Sequence, residues 1–123
     1  MTAALGAPAA PRHSVLRQVS FAPGDDQLQI VVTLSRPSQF HSGYLNGPPR
    51  FYVDFANTQL EKPRMKVPAP ESPFVRSVRF GNNTRQVSRL VVDLGPDAEA
   101  SAAQSGSDVV ITIRSSNKLL QSV

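Results

Sequence analysis

The sequence predicts an all-β fold, a β-sandwich of two pseudo-symmetric four-stranded sheets, on three observations. Its halves echo each other: Val15-Leu16-Arg17-Gln18-Val19-Ser20-Phe21 returns as Phe74-Val75-Arg76-Ser77-Val78-Arg79-Phe80, and Gln29-Ile30-Val31-Val32-Thr33-Leu34 as Arg89-Leu90-Val91-Val92-Asp93-Leu94. Apolar residues alternate with polar ones at the period of two that a half-buried strand requires. Turn-forming clusters separate the alternating runs. A unit this long that occurs twice is not a solenoid repeat; it reads as a duplicated β-unit whose copies bury their apolar faces against each other about a pseudo-twofold axis.

The elements follow in chain order. A strand is expected at 15–21, ended by Pro23-Gly24-Asp25-Asp26, and a second at 28–35, where Ile30, Val32 and Leu34 share one face and Gln29, Val31 and Thr33 the other. A less regular strand at 39–45 reaches the turn Asn46-Gly47-Pro48-Pro49, and 50–55 sets Phe51, Val53 and Phe55 against Arg50, Tyr52 and Asp54. Thr58 to Pro73 carries Pro63, Pro68, Pro70 and Pro73. Proline lacks the ladder N–H, so this stretch cannot be an internal strand and is expected to connect the halves across the sandwich edge.

In the second half, strands are expected at 74–80 and 86–94, separated by Gly81-Asn82-Asn83, with Gly95-Pro96 after them. Residues 97–104 would be helical by alanine propensity alone, but the duplication sets them opposite 39–45 and the turn Ser105-Gly106-Ser107-Asp108 follows too soon, so a strand at 98–104 is expected. The eighth strand covers 109–114.

The length suits one domain with a real core, assigned here to residues 14–115. Residues 1–13, rich in Ala and Pro, read as a disordered tail, and 116–123 as a C-terminal tail or linker. No run approaches the roughly 20 apolar residues of a membrane span, and Met1 to Pro11 lacks the basic start and apolar stretch of a signal peptide. A soluble, already trimmed chain is expected. Cysteine is absent, which excludes disulfides, thiolate nucleophiles and zinc-thiolate sites.

Catalysis has little to stand on. His13 lies in the tail and His41 in an expected edge strand, without a second His or Glu at zinc-motif spacing. No Gly-x-Ser-x-Gly elbow marks a nucleophile. Neither catalytic residues nor a metal or other cofactor are expected.

Binding chemistry is better represented. The net charge of +4 is uneven: Lys62, Arg64, Lys66, Arg76, Arg79, Arg85 and Arg89 share their segment with Glu71 alone, a local field attractive to anions. Two strands repeat the pattern Arg, apolar, apolar, Val, Asp, apolar, as Arg50 to Phe55 and Arg89 to Leu94. Within one strand that Arg and Asp stand about 13 Å apart, so their partners must come from other strands. Cross-strand ion pairs fixing register are one reading; a ligand platform with Tyr52 between two charges is the other. Arg17 and Arg76 share the parity of Val19, Phe21, Val78 and Phe80, which points them coreward and implies pairing with Asp54 or Asp93. Arg79, Asn82, Asn83, Arg85 and Arg89 surround one turn, and their first-half counterparts Ser20, Pro23, Gly24 and Asp26 are small or acidic. That asymmetry favours function over fold.

Leu16-x-x-Val19-x-Phe21, a strand ending Leu34-Ser35-x-Pro37, Pro48-x-Arg50-Phe51-Tyr52-Val53-Asp54-Phe55, then Val75-x-x-Val78-Arg79-Phe80-Gly81-Asn82 and Ser88-Arg89-Leu90-Val91-Val92-Asp93-Leu94 together resemble the AMIN domain over about residues 14–115. AMIN domains stand at the N-terminus of periplasmic N-acetylmuramoyl-L-alanine amidases and in type IV pilus secretins. The resemblance implies a sandwich of two symmetric four-stranded sheets that binds peptidoglycan, with Arg50, Asp54, Arg79, Gly81, Arg89 and Asp93 as matching positions. Asn82 stands where members often carry Gln, which shortens its reach.

The expected function is therefore non-catalytic peptidoglycan binding in the periplasm, localising an attached amidase to the septum or wall. Ligand contacts are expected from Arg79, Asn82, Asn83, Arg85, Arg89, Arg50, Tyr52 and Tyr44: arginines for stem-peptide carboxylates, tyrosine rings for sugars. Anchoring a pilus secretin is the alternative, and single-stranded nucleic-acid binding comes from another class, disfavoured by the scarcity of aromatics on the polar parity. A monomer is expected, with divisome or pilus-assembly proteins as further partners.

Overall fold

The computed structural model describes residues 13–63, 65–81, 84 and 86–116, and these are all strand and loop. The strands are β1 (Ser14–Pro23), β2 (Gln27–Leu34), β3 (Phe40–Leu45), β4 (Arg50–Ala56), β5 (Thr58–Leu60), β6 (Val75–Gly81), β7 (Val87–Leu94), β8 (Ala98–Ser105) and β9 (Asp108–Ser115). They form a five-stranded sheet in the order β5-β1-β2-β9-β8 and a four-stranded sheet in the order β3-β4-β7-β6. The all-β class is as expected, including strand rather than helix at 98–105. Residues 1–12 and 117–123, where the tails were expected, lie outside the described residues.

The duplication is written into the topology. Omitting β5, one sheet reads β1-β2-β9-β8 and the other β6-β7-β4-β3, so each half donates its first hairpin to one sheet and its second hairpin to the other. The registers repeat as well. Leu16 opposes Leu34 and Gln18 opposes Thr33, as Val75 opposes Leu94 and Ser77 opposes Asp93. The Ser35 amide donates to the Val15 carbonyl at 2.9 Å, and the Gly95 amide to the Phe74 carbonyl at 2.7 Å. Gly47 and Gly106 occupy the matching β3–β4 and β8–β9 turns at φ of 67° and 63°, a region that costs glycine nothing.

The ninth strand corrects the expected count of eight and the expected four-on-four arrangement. Thr58–Leu60 runs parallel to β1, Ser14 opposite Thr58 and Leu16 opposite Leu60. The connecting prolines begin only at Pro63, and an edge strand needs a ladder on one side alone, so these three residues can pair. Buried hydroxyls hold them. Ser38 donates to the Ala56 carbonyl at 2.7 Å and lies 2.9 Å from the Thr58 hydroxyl, while Ser88 of β7 donates to the Thr58 carbonyl at 2.7 Å. Each of these buried polar groups is thereby satisfied, which removes a desolvation cost of about 1–3 kcal/mol per group.

Both sheets contribute to one apolar cluster. Leu16, Leu28, Ile30, Val32, Val109, Ile111 and Ile113 come from the larger sheet, and Phe51, Val53, Phe55, Val78, Leu90 and Val92 from the smaller. The alternation in β2, β4 and β9 thus becomes strict inside-outside parity.

β1 and β6 break that parity, which overturns the coreward placement of two arginines. Each strand carries a register shift, between Leu16 and Gln18 in β1 and between Val75 and Ser77 in β6, so Arg17 and Arg76 are the extra residues of matching bulges. A bulge sets two residues against one and resets which face follows. Leu16 and Val75 point inward, and Arg17 and Arg76 are exposed. Arg17 lies 3.9 Å from Glu61 with 58% of its side chain exposed; Asp54 and Asp93 pair with other arginines.

Candidate ligand-binding face

The outer face of the four-stranded sheet is a small grid whose rows are set by register. One row runs Leu45, Arg50, Asp93, Ser77; the next Gly43, Tyr52, Val91, Arg79; the third His41, Asp54, Arg89, Gly81. The β3–β4 turn fixes the first pairing and period-2 parity fixes the rest. The repeated Arg-to-Asp pattern of β4 and β7 thus becomes antiparallel, Arg50 opposite Asp93 and Asp54 opposite Arg89.

Arg89 is the hub of the third row. Its Nε donates to Asp54 Oδ1 at 2.7 Å and its Nη2 to Asp54 Oδ2 at 2.9 Å, a two-point grip that guanidinium geometry favours. The pair is largely covered, with 28% and 22% of the side chains exposed. The hydrogen bond to Asp54 raises the Arg89 pKa above its ordinary value, against the opposing effect of desolvation; the Asp54 charge adds to it.

Tyr52 lies across the face. The Arg89 guanidinium carbon sits 4.5 Å from its ring centroid, and the His41 ring is 6.0 Å away, tilted by 55°. The phenol extends over Gly43, where a Cβ would come within 2.9 Å of Cε1 and the hydroxyl oxygen. Only glycine at that position of β3 lets the ring lie down. A cation over an aromatic face is attractive by about 0.5–2 kcal/mol, so Tyr52 and Arg89 hold each other in place.

Arg79 and Asp93 form the second pair, Nε to Oδ2 at 3.2 Å, with 52% of the arginine side chain exposed. Ser77 donates to the same carboxylate oxygen at 2.5 Å. Partial burial by itself would raise the Asp93 pKa. The hydrogen bonds from Ser77 and Arg79, with the charges of Arg79 and Arg50, outweigh it and hold the carboxyl below the ordinary range. Arg50 turns toward its own hairpin, Nε donating to the Pro48 carbonyl at 3.2 Å and Nη2 to the Asn46 carbonyl at 3.3 Å.

The structure therefore brings Arg50, Tyr52, Arg79 and Arg89 onto one face, with three cations against two carboxylates. Tyr44 is not among them. It opposes Phe51, whose side chain is in the core, and its ring meets Phe51 edge-on at 5.3 Å. Asn82, Asn83 and Arg85 lie outside the described residues. Sequence reasoning missed Gly43, His41 and Ser77 as members of the face. Counting outward from the Asn46-Gly47-Pro48-Pro49 turn would have found the first two, because that hairpin sets Gly43 beside Tyr52 and His41 beside Asp54.

Exposed guanidinium donors beside an immobilised ring can take a carboxylate and stack a planar or apolar group next to it. Among the described residues, no group of three or more His, Asp or Glu side chains is placed to hold a metal ion.

Comparison with curated proteins finds no significant match. The profile of the AMIN domain matches residues 18–120, nearly the whole chain, and AMIN domains are non-catalytic, peptidoglycan-binding targeting modules. The duplicated strands, the Arg-to-Asp ladders and this match agree: the chain belongs to the AMIN domain family.

Proposed function

We propose that this AMIN domain binds peptidoglycan through the outer face of β3-β4-β7-β6 and so carries an attached N-acetylmuramoyl-L-alanine amidase to the periplasmic cell wall. The observation behind this reading is the cluster of Arg50, Arg79 and Arg89 around Tyr52. Wall stem peptides present carboxylates on a short backbone, and Arg79 has half its side chain open to receive one. Asn82, Asn83 and Arg85, which follow β6 in the sequence, add amide groups and a further cation that this reading also assigns to the ligand. Residues 14–115 act as one unit, a sandwich in which the two sheets face each other over the shared core and a near-twofold axis relates the halves. Residues 116–123 are read as a C-terminal tail or linker. Anchoring a type IV pilus secretin would use the same face, and a pull-down with divisome or pilus-assembly proteins separates the two settings.

Co-sedimentation with purified sacculi tests the proposal. The parent protein pellets with sacculi, less so as salt is raised, and Arg79→Ala pellets about tenfold less while remaining folded, with at most the loss of about 1 kcal/mol that a half-exposed ion pair contributes. Equal pelleting of parent and variant would move binding off this face. A gel shift at matched salt with single-stranded oligonucleotide, positive while sacculi are ignored, would replace the wall by nucleic acid.

A further inference from the structure

A second polar site lies away from that face, where the edges of the two sheets meet. Tyr44 of β3 reaches across to β8: its hydroxyl donates to the Ala100 carbonyl at 2.8 Å and accepts from the Ala100 amide at 2.9 Å. Both hydrogen-bonding capacities of the edge residue are met by one phenol, which blocks strand addition at that point. The ring is fixed twice, by this clasp and by its edge-on contact with Phe51. Yet 54% of Tyr44 is exposed, and it is the one large hydrophobic side chain so exposed among the described residues.

The exposed ring forms one wall of an open cavity of about 210 Å³, floored by side chains of β8 and β9. Ser101 and Thr112 stand directly opposite each other there, as do Glu99 and Arg114, whose Oε1 and Nε lie 3.4 Å apart. Hydroxyl, carboxylate and guanidinium groups thus line a floor beside a rigid aromatic wall. The volume falls short of the roughly 300–1,000 Å³ of clefts that take drug-sized ligands, so it suits one small ring.

We propose that this cavity is a saccharide subsite, taking one sugar of a neutral glycan chain against the Tyr44 ring. The inference rests on the wall-binding reading above and divides its labour: carboxylates on the arginine face, glycan at the β3–β8 edge. Charge supports the division. The cavity pairs one cation with one anion, whereas the sheet face carries an excess of arginine. A sugar offers alternating hydroxyl donors and acceptors on its rim and C–H groups on its flat faces, which match a mixed polar floor and an aromatic wall. Because Tyr44 is held before any ligand arrives, little ordering cost accompanies binding.

The probe is a β-1,4-linked N-acetylglucosamine trisaccharide, which carries no peptide, titrated into the protein and followed by amide NMR shifts. Shifts are expected at Ala100, Ser101, Thr112 and Arg114 and not around Tyr52. Ser101→Arg fills the cavity from an exposed strand position without touching the Tyr44 clasp, and should weaken trisaccharide binding at least about tenfold at an unchanged melting temperature. Arg79→Ala should leave trisaccharide binding as it is. A parent protein that pellets with sacculi but shows no shifts at millimolar trisaccharide, or shifts confined to the arginine face, overturns the subsite and leaves wall binding standing. Unchanged binding by Ser101→Arg overturns it too. Cavity shifts without sacculus pelleting would support the subsite and overturn the wall-binding proposal.

Discussion

Arg89 and Asp54 lie opposite each other on β7 and β4, and the two hydrogen bonds between them, 2.7 and 2.9 Å, hold the guanidinium over the Tyr52 ring. One arginine therefore both closes the seam between the halves and positions the aromatic of the binding face. Arg89→Ala leaves a mostly covered carboxylate without this partner and is expected to cost about 1–2 kcal/mol, between the values for exposed and buried pairs. Thermal unfolding should show a melting temperature lower by about 5–10 °C. Arg89→Lys should recover only part of it, because an ammonium cannot make the two-point contact.

Arg17→Ala and Arg76→Ala should each change stability by no more than about 0.5 kcal/mol, since both bulge residues are exposed. A drop of several degrees in either melting curve would contradict that placement and restore the coreward orientation that simple alternation implies.

Asp93 makes stability depend on acid. Its folded pKa lies below the ordinary carboxylate value of about 3.9, so in that window the unfolded chain binds the proton more readily than the folded one. The stabilisation is fully present above the ordinary value and is lost as pH falls through the depressed one. Asp93→Asn should be less stable than the parent at neutral pH, with the gap narrowing below about pH 4. Melting temperatures of both proteins across that range give the check, and parallel curves would refute the role of Asp93.

Gly43→Ala places a methyl group where the Tyr52 phenol now lies. The ring has to lift from β3, and the fold should survive with a loss of about 1 kcal/mol. Contacts between the Tyr52 ring and the Arg89 side chain, read by NMR, should weaken, and sacculus pelleting should fall with them.

The strand pattern was legible because β2, β4, β7 and β9 carry no bulge of their own, so that parity alone decides the face. It failed where one residue changes parity. The bulges at Arg17 and Arg76 leave no mark in composition, so both arginines read as coreward although their exposure is plain in the structure. Thr58–Leu60 was hidden by the prolines that follow it, and its hold on the fold comes from Ser38 and Ser88, distant in sequence. Arg50, Tyr52 and Arg89 were legible as one surface because two strands repeat one pattern. Tyr44 was grouped with them as an aromatic, while its own partner across the β3–β4 ladder, the buried Phe51, assigns it to the other side of β3.

The exchange of hairpins between the halves has a kinetic consequence. Since β2 pairs with β9 and β4 with β7, neither sheet can close from one half of the chain, and the centre of the larger sheet awaits the last strand to be made. Such distant pairings pay their loop-closure entropy before any contact repays it, which places this domain among slow folders. While it waits, the Val- and Ile-rich edge of β2 stands open to any other strand, including the β9 of a second copy. A chain truncated before β9 would keep that edge exposed for good, and self-association through it is the failure the interleaved architecture invites.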